Sequence, residues 1–254
     1  MKYFISASFL LISIFTLVFC SGSVSADHEK KQMSNKNNNI IVLELFTSQG
    51  CSSCPSADRL LASYANRGDI VALSFHVDYW NRLGWKDPFS SEQFSKRQSN
   101  YASSFGASGV YTPQIVINGE KQMVGSDEDK IASTIKQMQK QQSVAQIIID
   151  TVKTENNKVL VTYSVNGKFN KSVLNIALVQ NKITTNIKSG ENGGVTLTNY
   201  NVVRSFATVN LFDSGKNIIS IDNISGVDKN NLSIILFLQD ASTNKISAAV
   251  KSSL

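Results

Sequence analysis

The chain predicts an α/β unit followed by an all-β, sandwich-like unit, and three observations carry that prediction. Residues 40–46 (Ile-Ile-Val-Leu-Glu-Leu-Phe) and 70–77 are near-continuous apolar runs, as in strands covered on both faces. Between them Ala57, Leu60, Leu61 and Tyr64 recur at helical spacing, which makes the order strand–helix–strand, a right-handed parallel crossover. Beyond about residue 143 helical spacing stops and seven short alternating runs follow, the texture of a separate β-sandwich.

The elements follow in order. Lys2, the apolar run 4–19 and the small residues Val24-Ser25-Ala26 read as a signal peptide over 1–26, cleaved before Asp27. A membrane anchor would need about 20 apolar residues, and Phe19 is too bulky for a lipoprotein site at Cys20. Export to the periplasm or outside the cell is expected, with no membrane attachment after cleavage. Residues 27–39 are polar and aperiodic, a disordered leader. The first helix has Pro55 in its first turn and Gly68 as a stop. An aromatic-rich loop, 78–90, leads to a helix over about 91–105. A strand at 114–118 then turns at Asn118-Gly119 into 121–124. A last helix opens near Ser126 with Asp127, Glu128 and Asp129 in its first turn and closes this unit at about residue 142. The β unit occupies 143–254, its runs at 145–152, 159–165, 173–180, 195–209, 217–221, 232–240 and 245–251. Net charge is +6 with no basic block, which argues against nucleic acid as a partner.

Chemistry concentrates at Ser48-Gln49-Gly50-Cys51-Ser52-Ser53-Cys54-Pro55. A thiol at a helix start sits among free N–H groups that favour the thiolate, so Cys51 is expected to attack and the more buried Cys54 to resolve. Structural zinc would need about four ligands, and beyond these two cysteines the mature chain adds His28, in the leader, and His76. An inert structural disulfide is the other reading. Pro113 stands at the mouth of an apolar strand, where a cis Thr112–Pro113 bond would accommodate it. No cofactor is called for.

The strings Glu44-Leu45-Phe46-Thr47-Ser48-Gln49-Gly50-Cys51, Phe75-His76-Val77-Asp78-Tyr79-Trp80, Gly84-Trp85-Lys86-Asp87-Pro88-Phe89 and Val110-Tyr111-Thr112-Pro113-Gln114 resemble an exported bacterial and plant family catalogued as a domain of unknown function. Leu197-Thr198-Asn199-Tyr200-Asn201-Val202-Val203-Arg204 extends that resemblance into the second half. Residues 40–142 look like a thioredoxin-like domain with a helical insertion. The resemblance implies a redox pair at Cys51 and Cys54, faced by Thr112 and Pro113. It implies thiol–disulfide exchange with a protein or small-molecule thiol or disulfide client, and a separate redox partner. Ser52-Ser53 matches neither the Gly-Pro of reducing thioredoxins nor the Pro-His of strong oxidants, so the direction of electron flow stays open.

His76 and Asp78 end the second strand on the edge that also carries the cysteine loop. His76 has three readings: a tuner of Cys51, a Cu(I) ligand with Cys51 and Cys54 in a metallochaperone, or a histidine bonded within its loop. Tyr79, Trp80, Trp85 and Phe89 form either the rim of a client groove or an anchor for the insertion. Gly193, Gly194 and Arg204 suggest a contact between the halves. A non-catalytic binding module with a structural disulfide completes the alternatives.

Overall fold

Strands β1 (Ile41–Thr47) and β2 (Ile70–His76) are buried at every residue, as their apolar runs require. In this computed structural model, which describes residues 1, 3, 40–169, 171–211 and 215–254, they pair in parallel from Ile41↔Ile70 to Thr47↔His76. Apart from residues 1 and 3, the expected signal peptide and leader lie outside the described residues. Helix α1 (Cys54–Tyr64) makes the crossover, and α2 (Glu92–Ser104) starts at Ser91, whose side chain accepts from Gln93 N–H. Strand β3 (Gln114–Ile117) runs antiparallel to β1 and turns into β4 (Lys121–Val124). The turn uses Asn118 and Gly119 at positive φ, and a Cβ on Gly119 would stand 1.9 Å from the Asn244 carbonyl oxygen. Helix α3 (Glu128–Met138) follows its Asp127 cap.

All seven expected runs of the second half form strands. They are β5 (Ala145–Glu155), β6 (Lys158–Gly167), β7 (Ser172–Asn186), β8 (Thr196–Asn210), β9 (Lys216–Asp222), β10 (Leu232–Asp240) and β11 (Ile246–Ser253). Their assembly overturns the expected fold class, an α/β thioredoxin-like domain with a helical insertion followed by a C-terminal β-sandwich. Strand makes up 46% of the described residues and helix 19%. One mixed eight-stranded sheet runs β11-β10-β7-β8-β2-β1-β3-β4 through both halves, and β5-β6-β9 form a smaller second sheet. The join is β8 lying parallel to β2 at Ser74↔Val202, which covers the edge that β2 would otherwise leave open.

Three apolar layers follow from this topology. Helices α1 and α3 cover one face of β1 and β3, with Leu43, Leu45, Ala57, Leu61, Ile115 and Ile131 at the contact. The small sheet covers β7, β10 and β11 through Val161, Ile176, Leu178 and Leu236. Helix α2 packs on the face common to both halves, where Phe46, Phe75, Phe94 and Tyr101 meet Val203 and Phe237. Arg97 of α2 fastens this seam. Its guanidinium bonds both Glu44 carboxylate oxygens at 2.6 and 3.0 Å and donates to Gln239 Oε1 at 3.2 Å. It also lies within 5.1–5.7 Å of the ring centroids of Phe75, Tyr101, Phe206 and Phe237. The helix read as an insertion is thus the clasp between the halves.

Candidate functional site around Cys51 and Cys54

Cys51 and Cys54 are joined in a disulfide, their Cα atoms 5.4 Å apart. Helix α1 begins at Cys54, and Cys51 lies in the turn before it, closed by Cys51 N–H to Ser48 O and Cys54 N–H to Cys51 O, each 3.2 Å. The position at the helix start therefore belongs to Cys54 rather than Cys51. Both cysteines are 0% exposed, so the expected difference in burial is absent. What distinguishes the sulfurs is their polar company. Ser53 Oγ lies 3.3 Å from Cys51 Sγ, and Thr112 Oγ1 donates to the same sulfur at 3.3 Å. Trp80 Nε1–H orients that threonine by donating to Oγ1 at 2.8 Å. The Thr112–Pro113 bond is cis, and the preceding carbonyl, Tyr111 O, accepts from Gln98 at 2.6 Å.

His76 ends β2, fully buried, with Nδ1 bonded to Asp87 Oδ2 at 2.7 Å. Burial by itself would lower its pKa, but the Asp87 carboxylate more than offsets this and the net shift is upward. Burial likewise opposes ionisation of Asp87, and the imidazole wins, holding that carboxyl below its ordinary range. Asp87 also accepts from Gln49 N–H at 2.8 Å and Phe89 N–H at 2.9 Å, so it ties the aromatic loop to the cysteine turn. His76 is thus bonded to a residue of that loop. Among the described residues no group of three His, Cys, Asp or Glu side chains is placed to hold a metal ion.

Asp58 stands one turn along α1 from Cys54 and is buried. Burial pushes its carboxyl up to about 6, with the His76 charge opposing the shift. Thr47 Oγ1, Asp58 Oδ1, Ser74 Oγ and His76 Nε2 are buried without a hydrogen-bond partner among the described residues. Strand alternation puts Thr47, Ser74 and His76 on the α1 side of the sheet, so the four unsatisfied atoms belong to one region under the cysteine turn.

The turn between β7 and β8, residues 187–195, reaches over from the other half. Asn192 Nδ2 donates to the carbonyls of Gln49 and Cys51, both at 2.9 Å, and Glu191 Oε2 accepts from Ser52 N–H at 3.0 Å. Ser189 Oγ donates to Gly84 O at 2.6 Å, and Gly190 packs closely on Trp85, with 3.0 Å between its would-be Cβ and the Trp85 Cβ. Trp85 Nε1 donates to Gln49 Oε1 at 3.2 Å, while Phe89 packs against His76 and under Arg204 of β8. Arg204 joins the halves as its sequence suggests, but Gly193 and Gly194 bond within their own turn, and the glycine that meets the other half is Gly190. Of the aromatic residues, Trp85 and Trp80 anchor their loop to the cysteine turn, while Tyr79 bonds Gln98 of α2.

The structure brings Cys51, Cys54 and Thr112 together, with Pro113 following in the same segment and His76 linked through Asp87 and Gln49. Sequence reasoning missed Asp58, Asp87, Glu191 and Asn192 as members of the site. Asp58 did leave a signal, an acid on the apolar stripe of α1 between Cys54 and Leu61.

No curated protein matches the chain. Among solved structures it is similar to protein AGR_C_4864 from Agrobacterium tumefaciens, with 28% identity, a TM-score of 0.67, and coverage of 87% of this chain and 96% of that one. It is also similar to HBP35 of Porphyromonas gingivalis, with 15% identity, a TM-score of 0.60, and coverage of 87% and 77%, a likeness of fold alone. A family model described as "Protein of unknown function (DUF1223)" matches residues 42–239. That match spans both halves and the join between them, and the chain belongs to the DUF1223 family.

Proposed function

We propose that this protein is an exported thiol–disulfide exchange protein acting through Cys51 and Cys54. The observation that carries the reading is the hydroxyl of Thr112 aimed at Cys51 Sγ, 3.3 Å away, from the segment that also holds Pro113. Ser53 Oγ is a second hydroxyl at the same distance. A hydrogen bond from either hydroxyl stabilises a thiolate on Cys51, the form that attacks. Among the described residues Cys54 Sγ has no such contact, and it resolves. The likeness to thioredoxin-like redox sites is local: a cysteine pair between strand and helix, faced by a proline segment. Location in the periplasm or outside the cell accompanies this reading, on the strength of the leader sequence and the stability of disulfides there.

In the forward sense, Cys51 thiolate attacks one sulfur of a client disulfide. That bond breaks, one client thiolate leaves and takes a proton, and a mixed disulfide forms. Cys54 thiolate then attacks Cys51 Sγ, closing the Cys51–Cys54 bond and releasing the second client thiolate, two electrons having passed to the client. An external thiol or dithiol restores the pair. Cys51→Ser should abolish exchange with a model disulfide, whereas Cys54→Ser should accumulate a mixed disulfide visible on a non-reducing gel and by mass. A Cys54→Ser variant that traps nothing, with a native bond inert to mild dithiol, would return the pair to a structural role.

A further inference from the structure

Both sulfurs are enclosed, and part of the enclosure comes from the second half of the chain. The strap 187–195 contacts the backbone of the cysteine turn at three points. Asn192, itself buried, takes the carbonyls before and at Cys51, and Glu191, exposed, takes the N–H of Ser52. The Ser52 N–H is one peptide bond from Cys51 and would otherwise be free to support a negative charge on its sulfur. Cys54 N–H is likewise engaged, by the carbonyl of Cys51. The strap thus does two things to the redox pair. It braces the turn in the shape that holds the two sulfurs together, and it sets a carboxylate on the N–H of the residue that follows Cys51.

Resting on the proposed exchange chemistry, we infer that Glu191 and Asn192 are positioning residues that bias the pair toward its disulfide, so that the reduced pair donates electrons to oxidised clients. Its substrates are then disulfides, and an external dithiol supplies the two electrons and two protons that regenerate Cys51 and Cys54. The direction follows from which form is favoured. A site that stabilises its reduced form is an oxidant, and a site that stabilises its disulfide is a reductant. Bracing raises the effective concentration of one sulfur at the other, and a neighbouring negative charge disfavours the Cys51 thiolate. Both effects favour the disulfide. Ser52-Ser53 is silent on this direction because the residues that set it lie some 140 positions further along the chain.

The test is the equilibrium of the full chain with a glutathione redox buffer, read by thiol alkylation and mass. Glu191→Gln should favour the dithiol by about two- to fivefold, a rise of ~10–20 mV in potential. Asn192→Ala should shift it the same way by about five- to tenfold, ~20–30 mV. The Glu191→Gln difference should shrink at 1 M salt, where an exposed charge is screened, while the Asn192→Ala difference should persist. A merely structural Glu191 would show no such salt dependence. Glu191 is on the surface, so its variant also guards the test if Asn192→Ala folds poorly. Normal exchange by the wild-type chain with unchanged or lowered potentials in both variants would overturn the role of the strap. A wild-type pair that never equilibrates with glutathione would instead overturn the exchange chemistry on which this inference rests.

Discussion

Glu44 and Thr47 lie three residues apart on β1 and serve two buried polar clusters on opposite faces of one sheet. On the α2 side, Glu44, Arg97, Tyr101 and Gln239 are bonded to one another throughout, and Asn175 and Thr208 extend the chain of bonds. On the α1 side, Thr47, Asp58, Ser74 and His76 each leave an atom without a hydrogen-bond partner among the described residues. A satisfied buried network holds elements in one arrangement, as the Arg97 cluster holds the seam. The contrast separates a polar cluster that fastens the two halves from one whose bonds are incomplete among the described residues.

Breaking the satisfied cluster should have the largest effect. Arg97→Met strands the Glu44 carboxylate in the core and should cost about 3–5 kcal/mol in a denaturant titration. Adding Glu44→Leu should return much of that loss. A single variant within about 1 kcal/mol of wild type would remove the clasp role of α2.

Asp58 offers the next test. Its carboxyl is raised from 3.8 to about 6 in the folded protein, so between those values the native state holds more protons than the unfolded one. Stability from this group is therefore present at pH 4 and lost as pH rises through 6. Asp58→Asn does not titrate, so its stability relative to wild type should improve by about 2 kcal/mol from pH 4 to pH 7. A difference that stays flat across that range would place Asp58 in contact with water or an unseen partner.

The smallest effects make the sharpest pair, because each removes one buried hydroxyl. Tyr101→Phe strips an oxygen bonded to Glu44, Arg97 and Gln239 and should destabilise by about 1–3 kcal/mol. Thr47→Val removes an oxygen that completes no well-formed hydrogen bond among the described residues and whose electrostatic tie is to the Asp58 carboxyl, and should change stability by no more than about 1 kcal/mol. Equal losses from both would erase the distinction between the two clusters.

Local structure was legible in the sequence because it is written at short range. The runs that make β1 and β2, the Asn118-Gly119 turn and the stripe of α1 each carry their own signal. The assembly was not legible. Alternating strands such as β7 and β10 read alike whether they face a second sheet or extend the first, and the parallel join rests on Ser74 beside Val202, far apart in the chain. The site divides the same way. Cys51, Cys54, Thr112 and Pro113 announce themselves by type and neighbours. Glu191 and Asn192 sit in an ordinary polar turn and acquire meaning only when the fold carries that turn to Gln49 and Cys51.

The clasp also imposes a timetable on a chain synthesised from its N-terminus. The cysteine turn and α2 emerge first, with Arg97 already able to find Glu44, while Phe206, Phe237 and Gln239 are still to be made. Until β8 and β10 arrive, the nascent chain presents an arginine and an apolar helix face without their cover, and a cysteine pair without its strap. The covered seam is therefore complete only when the last strands have docked.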